Sequence, residues 1–249
     1  MCELFGFSGR TKTDLTDHLK TFFSHSEKHP HGWGMMYDGC IVKEPVKASQ
    51  SELLPLLLSN IEPQKTMLAH IRYATVGSIR KENCHPFSLI DISGRKWTMV
   101  HNGTIYSGKD TYKFHKTQQG DTDSERLFLS FIDTMNEKVC KSRLSERERF
   151  NTVSRFIADH APRNKLNLIL FDGELLYVHK NMKNSLNYKY NENGVLISTS
   201  PLDDTGWNPF PMTQVIAFKN GDEIYRGERH KGVFIPTLEY ITALDAMNI

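Results

Sequence analysis

The sequence has no Cys-x-x-Cys pair; its four cysteines, Cys2, Cys40, Cys84 and Cys140, are scattered along 249 residues. In a chain of this length that spacing argues against a disulfide framework and fits reduced thiols in a cytoplasmic setting. No basic stretch followed by an apolar run stands near the start, so a secretory signal is not expected. The longest apolar run, Leu53-Leu54-Pro55-Leu56-Leu57-Leu58, is far too short to cross a bilayer, so no membrane partner is expected either. Charge of both signs is nearly balanced, 31 Lys and Arg against 29 Asp and Glu, with no basic block to suggest nucleic acid. A phosphate-binding glycine loop is missing, so no nucleotide or other cofactor is implied. Linkers rich in Pro, Gly and Ser are missing too, and residues 1–249 read as one domain.

What is there is mostly strand. The opening Cys2–Gly9 alternates, and residues 33–44 read as two strands about Asp38-Gly39, a favoured hairpin pair. Apolar runs at 66–73 and 96–103 follow. Two more hairpins are expected, turning at Asp172-Gly173 and Asn220-Gly221, with a strand at 194–200 between them. Helical spacing is confined to three places: Leu15, Leu19, Phe22 and Phe23; Leu127, Phe128, Phe131, Ile132 and Met135; and Phe150, Val153, Phe156 and Ile157. The last is preceded by Ser145 and Glu148 at capping-box spacing. The pattern predicts an α+β fold in which helices cover paired antiparallel sheets.

Some of these strands end in residues too polar for them. Arg72 closes an apolar run and is followed by Thr75 and Gly77; Asn102-Gly103 closes another; Asp121, Thr122, Asp123 and Ser124 stand at a helix start. Taken singly, they read as a surface charge, a turn and an N-cap. Taken with Cys2 and in this order, they resemble the class II glutamine amidotransferases, whose nucleophile is an N-terminal cysteine. These belong to the N-terminal-nucleophile hydrolase superfamily. The matching text is CELFG at 2–6, HGWG at 31–34, RYATVG at 72–77, NCHPF at 83–87, HNG at 101–103 and TDSE at 122–125. With STSPL at 198–202 the match spans roughly the whole chain. It is most similar to the stand-alone, YafJ-like branch, which lacks a fused synthase domain.

The resemblance implies an αββα four-layer sandwich of two antiparallel sheets flanked by helices. It implies that Cys2, once Met1 is removed, attacks the γ-carboxamide of glutamine to form a γ-glutamyl thioester, which water resolves to glutamate. An α-amino group titrates near ~7.7–8.0, so the amine of Cys2 can serve as base for its own thiol. By position, Asn102 and Gly103 are the oxyanion donors, Arg72 the ligand of the α-carboxylate, Asp123 that of the α-ammonium, and Thr75 a supporting contact. Asp121 is read as the cap of its helix and left out of the site. Tyr73 and Val76 stand where the synthase-fused branch commonly has Trp and His. Another γ-glutamyl amide therefore remains an alternative to glutamine, and a separate synthase subunit a possible partner. The remaining alternative is a non-catalytic amino-acid-sensing module, against which the retention of Cys2, Asn102 and Gly103 together argues.

Other residues are given plainer roles. His25, His29 and His31 lie close in sequence, but their spacing matches no zinc motif, so no metal is expected and a loop closing over the site is. Cys84 is expected to be small and buried, Cys40 and Cys140 structural, and Trp33 part of the core.

Overall fold

Two Asx-Gly pairs set tight strand reversals. Asp38 (φ 50°) and Gly39 (φ 73°) both lie in the left-handed region, as do Asn220 (φ 51°) and Gly221 (φ 82°). This is the mirror-image turn whose twist matches that of the strands it joins. The third pair behaves differently. Asp172 accepts from the amides of Glu174 and Leu175, so the chain reverses over four residues instead of two.

The computed structural model describes residues 2–237 and Thr242. Its strands are β1 (Glu3–Thr13), β2 (Trp33–Tyr37), β3 (Cys40–Glu44), β4 (Gln64–Ile71), β5 (Phe87–Ile90), β6 (Lys96–Thr104), β7 (Lys165–Phe171), β8 (Leu176–His179), β9 (Asn187–Asn191), β10 (Gly194–Ser198), β11 (Asn208–Pro209), β12 (Val215–Lys219) and β13 (Asp222–Arg226). The helices are α1 (Thr16–Ser24), α2 (Leu53–Asn60), α3 (Lys109–Tyr112), α4 (Asp123–Val139) and α5 (Glu146–His160). One sheet runs β11-β9-β10-β1-β4-β2-β3 and the other β13-β12-β8-β7-β6-β5. Their ladders among the described residues are antiparallel.

Three apolar layers show how the sheets stack. Phe5, Phe7, Met67, Ala69 and Ile71 pack under α1 and α2 with Leu19, Phe22 and Leu54. Trp97, Met99, Leu166, Leu168 and Leu170 pack under α4 and α5 with Phe128, Phe131, Val153 and Ile157. Between the sheets lie Leu4, Leu68, Val100, Ile169, Val178 and Ile197. The order is helix, sheet, sheet, helix, the αββα sandwich that the resemblance implies. Helix α5 carries the expected capping box of Ser145 and Glu148. The run at 53–58 is helix α2, which presents Leu54 and Leu58 to the core. The strands β9 and β11, with few apolar residues, and the four-residue β5 are additions that periodicity alone does not flag.

Several histidines are buried deep in this sandwich. Burial holds His70 at about 3, His101 at about 4 and His179 at about 3, so all are neutral in the folded protein. Unfolded, each would titrate near ~6.5, so the unfolded chain binds protons first as the pH falls. His25, raised chiefly by its bond to Glu3, works in the opposite sense, against these three and His85, which burial also holds well below its ordinary value. Stability is therefore expected to fall between pH 7 and pH 5, by up to about 1.4 kcal/mol per pH unit for each buried histidine at the lower end. Urea midpoints measured across that window check this, and a flat profile would contradict it.

Candidate active site

The two-residue alternation that builds the inter-sheet layer also carries polar residues into it. On β6, Val100 faces the opposite sheet, so Asn102 does as well; on β7, Ile169 does, so Asn167 and Lys165 follow. On β4 the same face bears Leu68 and His70, and continuing the alternation reaches Arg72. On β1, Leu4 puts Cys2 on that face. One end of an apolar layer is thus lined by a thiol, an amide, an ammonium and a guanidinium.

The Cys2 thiol is half-buried and seated on the backbone of Tyr73, whose amide donates to Sγ at 3.2 Å and whose carbonyl lies 3.4 Å away. Asn102 is 2% exposed, and its Oδ1 accepts from Lys165 Nζ at 2.9 Å. Its backbone carbonyl accepts from Asn167 Nδ2 at 3.1 Å. Burial pushes the Lys165 ammonium down to about 8, while the charge of Cys2 is close enough to pull it back up. Lys165 thus holds the asparagine of the neighbouring strand. Sequence reading missed it, because a lysine at a strand start looks solvated; its parity with Asn167 and Ile169 was the available signal.

Gly103 stands where no other residue fits. A Cβ there would overlap the Lys165 backbone carbonyl and His101 Nε2. That close approach also leaves its surroundings ordered: His101 Nδ1 meets Ser124 Oγ at 2.9 Å, and its Nε2 lies 3.2 Å from the Lys165 carbonyl.

Asp123 is the first residue of α4, where the helix dipole favours an anion. Its Oδ2 accepts from the Ile105 amide at 2.6 Å, which ties it to the loop after β6. Burial pushes its carboxyl up against that bond, and among the described residues it has no ion-pair partner. Arg72 is buried, with its guanidinium donating to the carbonyls of Val76 (3.1 Å), Gly77 (3.2 Å) and Ser78 (3.0 Å). It therefore shapes the loop at 74–79, on which Thr75 is exposed.

Asp121 differs from expectation. The cap of α4 is Thr122, which accepts from the Glu125 amide at 3.2 Å. Asp121 instead accepts from the Ser78 amide and hydroxyl and from Asn83, stapling the loop that Arg72 holds from inside. The histidine stretch also has defined partners. His25 meets Glu3 at 2.8 Å, His29 lies 3.5 Å from the same carboxylate, and His31 Nδ1 accepts from the Ala74 amide at 2.9 Å. Burial works against a charged Glu3, but its bonds to His25 and His29 hold it near 2. Among the described residues no group of three His, Cys, Asp or Glu is arranged to hold a metal. Cys84 is buried as expected, and burial pushes its thiol to about 11, while Cys40 and Cys140 are exposed instead of structural. Trp33 is in the core. Cavities of about 560 Å³, beside Arg149 and Asp172, and about 680 Å³, between α1 and α2, lie elsewhere and include none of these site residues.

The family model for class-II glutamine amidotransferases matches residues 1–190. The chain belongs to that family. It is 27% identical over 188 residues to the putative glutamine amidotransferase YafJ of Escherichia coli strain K12, a match covering 72% of each protein. In fold it is similar to a predicted glutamine amidotransferase from Pseudomonas aeruginosa PA01, with a TM-score of 0.66 at 19% identity over 90% of this chain and all of that one. The glutamine phosphoribosylpyrophosphate amidotransferase of B. subtilis is also similar in fold, with a TM-score of 0.64 at 14% identity over 92% of this chain and 49% of that one. In this class-II amidotransferase no helix among the described residues is long and apolar enough to cross a membrane.

The Gly103 packing yields a test. Gly103→Ala must separate β6 from β7 at a backbone carbonyl, which cannot rotate away, and overpacking of this kind costs about 1–3 kcal/mol. Urea denaturation reads the loss, and an unchanged midpoint would show that the close approach does not constrain residue 103.

Proposed function

We propose that the protein hydrolyses the γ-carboxamide of glutamine with Cys2 as nucleophile. The observation that supports this reading is a Cys2 thiol seated on the Tyr73 backbone and an Asn102 amide held by Lys165, on strands joined across the layer by His70 and the His101 carbonyl. Removal of Met1, which lies outside the described residues, frees the Cys2 amine. That amine takes the thiol proton, and the thiolate adds to the amide carbon. Negative charge gathers on the former carbonyl oxygen, where the Asn102 Nδ2 group and the Gly103 N–H are the proposed donors. Such donors typically contribute ~3–4 kcal/mol each to transition-state stabilisation. The C–N bond then breaks, the nitrogen leaves as ammonia with the proton returned by the amine, and a γ-glutamyl thioester remains. Water, deprotonated by the same amine, releases glutamate and restores the thiol.

Glutamine brings two opposite charges to the far end of the pocket. Asp123, an anion at a helix N-terminus without an ion-pair partner among the described residues, suits the α-ammonium. For the α-carboxylate the proposed ligand is Arg72, whose fork has five N–H groups, three of them on loop carbonyls. Thr75, on that loop, is the proposed supporting contact. Ammonia passed to a separate synthase subunit belongs to the same proposal, as does a cytoplasmic site of action.

One observation favours a second reading, in which the leaving group is larger than ammonia. Tyr73, which seats the thiol, is flanked by the rings of His29 (6.1 Å) and His31 (5.0 Å). An aromatic wall on that side suits an amide-linked substituent. Competing glutamine against a panel of γ-glutamyl amides and peptides decides between the two.

Cys2→Ser is expected to keep the fold and lower hydrolysis by orders of magnitude, and a glutamine-mimicking electrophile to label the mature protein once, at its N-terminus. Labelling at Cys84 with full activity in Cys2→Ser would overturn the mechanism. Asp123→Asn keeps the shape and removes the charge. It is expected to raise KM by the equivalent of about 2–5 kcal/mol while Cys2 still reacts with small alkylating agents. Normal glutamine turnover in that variant would remove Asp123 from the site.

A further inference from the structure

We propose that Lys165 is a positioning residue for the oxyanion donor: its ammonium fixes which way the Asn102 carboxamide faces. The inference rests on the functional reading above for its catalytic consequence, while the orientation of the amide stands on the Lys165–Asn102 contact.

An asparagine amide has an acceptor at one corner and donors at the other, nearly identical in shape. Only the donor side can stabilise an oxyanion; the flipped amide would set an oxygen against it. A lysine ammonium has three donors and no acceptor. With Nζ 2.9 Å from Asn102, the amide oxygen must therefore face Lys165, and the NH2 group is turned away from it. Both side chains are 2% exposed, so water is poorly placed to substitute as the orienting donor. A charged donor on the amide oxygen also draws electron density from the NH2 group, strengthening the bonds it donates.

The test compares Lys165→Met, which keeps the stem and removes the donor and charge, with Lys165→Gln, which keeps a neutral donor one bond shorter, with melting curves to confirm folding. With glutamine, Lys165→Met is expected to lose at least about tenfold in kcat, towards the ~10²–10³-fold that losing an oxyanion donor costs, with KM within about twofold. Lys165→Gln is expected to regain part of kcat. The Asn102 side-chain amide resonances, followed by NMR, are expected to move in Lys165→Met. Wild-type kcat or unmoved Asn102 resonances in folded Lys165→Met overturn the inference. A wild-type protein that hydrolyses no γ-glutamyl amide, while those resonances move as expected, overturns the functional reading and leaves the Lys165–Asn102 orientation standing.

Discussion

Placing an ammonium, an amide and a thiol at the edge of an apolar layer is the constraint on which the rest of this structure depends. Unpaired, each such group costs kcal/mol to bury, and the ammonium far more. The layer avoids that penalty by mutual satisfaction: Lys165 on Asn102, Asn167 on the Asn102 carbonyl, and the thiol on the Tyr73 backbone. These bonds form within one sheet or the other, and His70 Nε2, 3.2 Å from the His101 carbonyl, joins β4 to β6 across the layer. Docking the sheets therefore brings the two polar groups to the same end of the layer.

The same economy governs the loop that borders the site. A segment of mostly exposed residues from Thr75 to Ile79 would ordinarily be free to wander. Here it is gripped from inside by Arg72 through three backbone carbonyls and from outside by Asp121 through Ser78 and Asn83. Gly77 takes φ 82° and has no room for a side chain beside Asp121 and Thr122. A charge expected to meet the substrate is thus also a structural clamp, so its substitution would disturb the loop and the pocket together. Across the thiol, Glu3 does comparable work by holding His25 and His29.

Much of this was legible in the residues. Hairpins at Asp38-Gly39 and Asn220-Gly221 follow from the left-handed conformations those pairs tolerate, and α1, α4 and α5 follow from their 3.6-residue apolar spacing. Arg72 and Asn102-Gly103 stood out as polar groups at the ends of apolar runs, Asp123 as one of a polar cluster at a helix start, and Cys2 by its place behind Met1; the order of the motifs joined them. Less legible were elements whose residues have little apolar pattern, such as β9 and β11, and the identity of the helix cap. Asp121 and Thr122 are both good capping residues, and the choice was made by Ser78 and Asn83, which arrive from elsewhere in the chain and engage Asp121.

By itself the sequence determined the strand and helix pattern, the family and the set of polar strand ends, since propensity, periodicity and motif order are properties of neighbouring residues. Tertiary structure alone decided what each of those ends touches. Lys165 is the clearest instance: in sequence it is one lysine at the start of a strand, 63 positions from Asn102 and farther still from Cys2. Only the docking of two sheets, which buries its ammonium, sets it against the asparagine oxygen.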